Sequence, residues 1–200
     1  MKINFSLKKH ISHNGFLYVI ALIATCLGFC YGVKLKTAPK RYEMFNTFVG
    51  ATMKDSASYR EYISTNTQGE FKEINTYAYD PYSFNTYVSS YRSFGLNETD
   101  ILILPETYVY EDDFYAFHVL PDEFRSDTDW TSLEVSYGIL VFDGENGVFS
   151  DYINYVSGTK YYLFVAHSSK HTLGFRDDVG GKTNYVSNLL RAIKDEEKKA

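Results

Sequence analysis

Nineteen consecutive residues, Gly15 to Val33, carry no charge and lie between two basic clusters. Lys2, Lys8 and Lys9 precede the run; Lys34, Lys36, Lys40 and Arg41 follow it. At about 1.5 Å per residue such a run reaches roughly 28 Å as a helix, close to the hydrocarbon thickness of a bilayer. It is rich in Leu, Ile, Val, Ala and Phe, with Tyr18 and Tyr31 near its ends, where interfacial aromatics belong. It has no polar face to turn toward water, which argues against a buried helix of a water-soluble core.

Three fates fit the run: an uncleaved signal anchor, a cleaved secretory signal, or a lipoprotein signal. Ile23, Ala24 and Thr25 ahead of Cys26 approximate a bacterial lipobox, making Cys26 the lipidation candidate. The expected organisation is a cytoplasmic n-region (1–14), a transmembrane helix or signal anchor (15–33), a basic linker (34–41), a soluble domain (42–195) and a charged tail (196–200). The basic flanks nearly balance. A short tail ahead of a large domain favours a cytoplasmic N-terminus and an extracellular domain at the cell membrane.

Charge narrows the partners. Residues 1–41 hold seven of the 20 basic residues and none of the 25 acidic ones, so the remainder stands at −12. An acidic body repels phosphates, so nucleic acid is not an expected partner. No cysteine follows Cys30, which excludes a disulfide framework, a thiolate metal site and a cysteine nucleophile from the soluble domain.

The soluble chain begins as an alternation of periods. Tyr42 to Ala51 reads as a strand. Asp55 to Thr65 reads as a helix with Asp55 or Ser56 as cap, and Gly69 stops it. Phe71 to Tyr79 alternates as a strand ending at Asp80-Pro81. Ser83 to Phe94 places Phe84, Tyr87, Val88 and Tyr91 on one helical face, with Gly95 as the close. Ile101 to Leu104 are four consecutive aliphatics, a strand buried on both faces. Strand, helix, strand, helix, strand predicts an α/β fold with a mostly parallel sheet. Further strands are expected at Leu133 to Phe142 and Tyr161 to Ala166, a short helix at Val148 to Tyr155, and a final helix at Thr183 to Lys194.

The stretch Tyr42 to Glu106, with its strand Thr99-Asp100-Ile101-Leu102-Ile103-Leu104-Pro105-Glu106, resembles the first lobe of type II extracellular solute-binding proteins. Tyr137-Gly138-Ile139-Leu140-Val141 is similar to the segment by which such chains cross between lobes. The resemblance covers roughly residues 42–195 and implies a ligand at the carboxyl ends of the strands. It thereby makes Asp80, Tyr82, Glu106, Thr107, Tyr137, His167 and Ser168 the candidate ligand-binding residues.

Other chemistries are weaker. His167 and His171 have a spacing that suits some metal sites, but they follow a strand and precede Gly174, so loop histidines are the better reading. Ser168 or Ser169 with His171 and an acid could be drawn as a triad, yet no Gly-x-Ser-x-Gly elbow exists. Asp143-Gly144-Glu145-Asn146-Gly147 lacks the calcium-loop pattern and reads as a turn. Gly180-Gly181-Lys182-Thr183 lacks the first glycine of a phosphate loop. No cofactor, metal or catalytic residue is therefore expected.

Tyrosine is the remaining signal: there are 19, and eight of them crowd between Tyr77 and Tyr115. Tyr brings apolar area with a hydroxyl at small entropic cost, which suits binding surfaces. The expected function is a membrane-anchored, extracytoplasmic, non-catalytic binding or accessory protein. It would take a protein partner or a small ligand, beside a transporter or other membrane complex. The alternatives are an anchored hydrolase using the His167 to His171 loop and a cytoplasm-facing assembly factor.

Overall fold

The computed structural model describes residues 7–132, 134–178 and 180–197. Residues 1–6 of the expected n-region, Leu133 of the expected strand and residues 198–200 of the tail lie outside the described residues. The chain divides into two units after Pro39.

The first unit is one helix, α1 (Leu7–Thr37), of 31 residues. It contains the whole uncharged run. Its side chains are described without a break only from Gly15 to Cys30, sixteen residues, fewer than the ~20 a bilayer span uses. Among the described residues no helix is long and apolar enough to cross a membrane. Phe16, Leu17, Val19, Ile23, Leu27 and Phe29 are all exposed, and Cys26 is an exposed free thiol.

The second unit starts with a short 3-10 turn and then, in chain order, β1 (Met44–Val49), β2 (Thr52–Met53), α2 (Ser56–Thr67) and β3 (Glu73–Ala78). Next come α3 (Phe84–Ser90), α4 (Leu96–Glu98), β4 (Ile101–Pro105), β5 (Trp130–Ser132) and β6 (Val135–Phe142). Last are β7 (Ile153–Asn154), β8 (Tyr161–Val165) and α5 (Tyr185–Glu197). Six strands form one sheet in the order β3-β1-β4-β8-β6-β5, while β2 and β7 pair separately.

The α/β class expected from the sequence is present, and its parallel part is narrower than expected. β1 pairs parallel to both β3 and β4. The pairings β4–β8, β8–β6 and β6–β5 are antiparallel. Parallel pairing needs a crossover long enough to carry the chain back across the sheet. Helix α2 and the α3–α4 segment supply that, but the connection after β4 is a series of 3-10 turns. The later strands therefore enter as hairpin-type partners.

Alternation along the central strands builds a core on each face. Phe45, Val49, Ile101, Ile103, Leu163 and Val165 pack under α2 and α5, against Tyr59, Ile63, Val186, Leu189, Leu190 and Ile193. Phe48, Leu102, Leu104, Tyr162 and Phe164 pack on the other face, against Tyr87, Tyr91 and Phe117. Helices on opposite faces are what right-handed crossovers require when the strand order reverses about β1.

Two local expectations need correction. Gly95 does not close the second helix: a wide π-type turn at Tyr91–Gly95 leads on to α4. Gly95 instead allows close approach to β1, since a Cβ there would lie 3.2 Å from the Phe48 ring. Residues 148–155 form one turn and a short strand rather than a helix. The Phe149 carbonyl accepts from both Tyr152 N–H and Ile153 N–H at 2.9 Å, and β7 then pairs with β2. Phe149 and Ile153 imitate helical spacing because both point into the core.

Candidate functional site

The carboxyl ends of β1, β3 and β4 lie side by side, and three features of the local sequence open a cleft there. β1 ends at Gly50, whose N–H donates to Ile103 O at 2.8 Å. A Cβ at Gly50 would lie 2.7 Å from Pro105 Cδ and 2.8 Å from the Tyr87 hydroxyl oxygen, so only glycine allows the strand ends to converge this closely. β3 ends in an Asx turn: Asp80 Oδ1 accepts the Tyr82 N–H at 2.9 Å, and Asp80 O accepts the Ser83 N–H at 3.0 Å. That turn leaves Tyr82 77% and Phe84 56% exposed. β4 ends at Pro105, after which the Tyr108 hydroxyl donates to Pro81 O at 2.9 Å and ties the two loops together.

Two adjoining hollows result. One, of about 440 Å³, is lined by Tyr82, Phe84, Tyr108, Tyr110 and Tyr161, with Pro81, Pro105, Thr107, Val156 and Thr159 between the rings. The other, of about 350 Å³, shares Pro81, Tyr82 and Val156 and adds Ala51, Thr52, Asp80, Asn154 and Tyr155. The Phe84 and Tyr108 rings are 6.3 Å apart, and Tyr108 and Tyr87 are 4.7 Å apart. Burial pushes the Tyr161 phenol up to about 12, so its hydroxyl, which accepts the Val156 N–H at 3.3 Å, stays protonated at neutral pH. Beneath them the buried Tyr87 hydroxyl has no hydrogen-bond partner among the described residues.

The sequence candidates separate into three groups. Asp80, Tyr82 and Thr107 line the cleft. Glu106 adjoins it: its N–H donates to Lys160 O at 2.9 Å and its Oε1 accepts the Lys160 N–H at 3.5 Å. Tyr137, His167 and Ser168 are elsewhere. Tyr137 stacks on Phe114 in the early part of β6, at 4.8 Å. Because β8 runs antiparallel to β4, its carboxyl end lies beside the start of β4, with Val165 opposite Ile101. His167 and Ser168 therefore stand at the far end of the sheet, where Ser168 Oγ donates to Thr99 O at 2.8 Å.

That far end carries a polar network centred on Asp100 and His171. Asp100, fully buried, receives Arg41 Nη1 and Nη2 at 3.0 Å each, the Asn46 N–H at 2.8 Å and the Ser169 hydroxyl at 2.7 Å. His171 is buried with Nε2 2.9 Å from Met44 O and Nδ1 2.9 Å from Thr183 Oγ1. The carbonyl can only accept, so Nε2 carries the proton and Nδ1 accepts from Thr183. Among the described residues no serine hydroxyl bonds a histidine ring, and Ser169 spends its proton on Asp100. His167 stacks on His118 with ring centres 4.1 Å apart. Neither His118 nitrogen has a hydrogen-bond partner among the described residues, and burial with the neighbouring His167 pulls its pKa down to about 4. Among the described residues no three His, Cys, Asp or Glu side chains group to hold a metal ion.

A larger hollow of about 500 Å³ lies along residues 140–150 and Glu196. It brings together no sequence candidate. Of the three carboxylates that line it, Asp143, Glu145 and Glu196, Asp143 is already engaged by the backbone N–H groups of Asn146 and Glu145 at 2.7 and 2.8 Å, which hold its pKa low. The aromatic cleft is the better candidate because exposed rings, a turn carboxylate and strand ends converge there.

Tyr161, Val156 and Thr159 were not legible as site residues. They arrive on the β7–β8 connection, and only the antiparallel entry of β8 sets Tyr161 opposite Pro105. Tyr108 and Tyr110 were visible only within the general tyrosine excess. Comparison of the chain with protein-family models, curated proteins and solved structures gives no match.

Proposed function

We propose that this protein is a membrane-tethered, non-catalytic binding module that takes a small ligand in the cleft at the carboxyl ends of β1, β3 and β4. The observation that carries the reading is the exposure of Tyr82 and Phe84 over a ring-lined hollow. Large exposed rings around a concave surface cost hydration free energy unless a ligand covers them. The tether rests on the sequence run Gly15 to Val33 and on the exposed apolar side chains that surround α1, which suit lipid rather than water. The domain is assigned to the outer face, in an accessory role beside a transporter or other membrane complex.

The binding reading is tested on the full chain in maltoside micelles by following tyrosine ring resonances during titration with a panel of amines, amino acids and sugars. Shifts concentrated at Tyr82, Tyr108, Tyr110 and Tyr161 support it; a panel that leaves these rings unmoved refutes it. Protease shaving of intact cells tests the side. Removal of the domain supports the outer face, and full protection favours the cytoplasm-facing alternative.

A further inference from the structure

The chemistry of the cleft lining narrows the ligand class. Ring faces carry negative electrostatic potential, and five rings line the larger hollow. Among the described residues Asp80 is the one acidic side chain lining either hollow, and neither lining includes a Lys, Arg or His. Its Oδ1 is committed to the Tyr82 N–H, and Oδ2 takes no hydrogen bond among the described residues. At the rim the Asn154 side-chain amide donates to Thr52 Oγ1 at 3.2 Å. Around this surface, residues 42–200 carry a net charge of −12. An anionic ligand would meet no compensating cation here. A cation would meet ring faces, an available carboxylate oxygen and a favourable long-range field.

Resting on the binding reading above, we infer that the cleft takes an organic ammonium compound, its cationic head seated against Tyr82 and the neighbouring rings and paired with Asp80. The rings supply cation–π attraction. The carboxylate supplies charge at the edge of the head, and Thr107 and Thr159 offer hydroxyls to a polar tail.

The test compares choline chloride with its neutral isostere 3,3-dimethylbutan-1-ol on the full chain in maltoside micelles, reading tyrosine ring resonances. Choline is expected to move Tyr82, Tyr108 and Tyr110 saturably. The isostere is expected to bind between about 3-fold and 30-fold more weakly, the range that a cation–π contact spans. Asp80→Asn keeps an oxygen for the Tyr82 N–H and so preserves the turn; it should weaken choline by a similar factor and leave the isostere unchanged. Tyr82→Ala, at an exposed position, should weaken choline without moving the melting curve. Equal binding of choline and the isostere overturns the cation inference and leaves the binding reading standing. Cleft shifts from a sugar of the panel, with none from choline, do the same. Silence at these rings with every compound overturns both.

Discussion

Asp100→Ala tests the structural reading of the far end of the sheet. Asp100 is fully buried and accepts four hydrogen bonds, two of them from the Arg41 guanidinium in a paired fork. Removing a carboxylate from such a site does not erase those donors. It leaves the Asn46 N–H and the Ser169 hydroxyl without an acceptor in the interior, and each orphaned group costs about 1–3 kcal/mol. Arg41 keeps 29% of its side-chain surface exposed, so it recovers part of its hydration and adds less than a fully buried charge would. The expected loss is about 3–5 kcal/mol, which for a domain of this size lowers the melting temperature by roughly 6–20 °C. The assay is thermal or urea unfolding of the full chain in micelles, monitored by far-ultraviolet circular dichroism, with a cycle through Arg41→Met. Coupling of 1 kcal/mol or more is expected between the two positions. A loss below 1 kcal/mol in Asp100→Ala, with no coupling to Arg41, would refute the view that this network fastens β1 to β4.

His118 gives a pH dependence. It is neutral in the fold with a pKa near 4, against an ordinary 6.5, so the unfolded chain binds the proton first. Its contribution is intact above pH 6.5 and is lost as pH falls toward 4, on the order of 3 kcal/mol at the limit. The facing charges are His167, which reinforces the depression, and Asp177 and Asp178, which oppose it. His118→Phe loses no hydrogen bond, so its stability curve should flatten over that interval relative to the wild type; superimposable curves would contradict the assignment. Gly50→Ala should destabilise by about 1–3 kcal/mol, because the added Cβ meets Pro105 and Tyr87 below 3 Å, and it should also disturb the cleft resonances. Asp55→Ala removes the cap that accepts Ala57 N–H and Ser58 N–H and should cost about 1 kcal/mol by urea melting, with the cleft unchanged.

What could be read from the chain was whatever lay within one element or between adjacent ones. Asp55 announced the start of α2, and the aliphatic run Ile101 to Leu104 announced a strand buried on both faces. The β-α-β-α-β start placed Asp80, Tyr82 and Thr107 at one end of the sheet because parallel strands share a carboxyl end. The same logic failed for His167 and Ser168, since no local residue pattern reports the direction of a strand. Tyr161 to Val165 would have the same both-faces-buried texture in either direction. The Arg41–Asp100 pair was out of reach for a similar reason: the partners are 59 residues apart, and only the fold brings them together.

The reversal at β8 also explains why the two ends of the sheet differ in chemistry. At the far end the chain enters β1 and β4 and leaves β8, so Arg41, Asp100, Ser169 and His171 come from strand boundaries that must be fastened to one another, and their polar groups are consumed in doing so. At the cleft end β1, β3 and β4 leave the sheet together, and their loops owe the core only a few contacts. One is the Tyr108–Pro81 bond; another is the β2–β7 pair, which brings Asn154 to Val156 against the rim. Side chains such as Tyr82 and Asp80 are thereby left with unspent binding capacity. Substitutions at the far end should therefore act through stability, and Tyr82→Ala or Asp80→Asn through affinity at constant stability. That separation follows from strand direction alone.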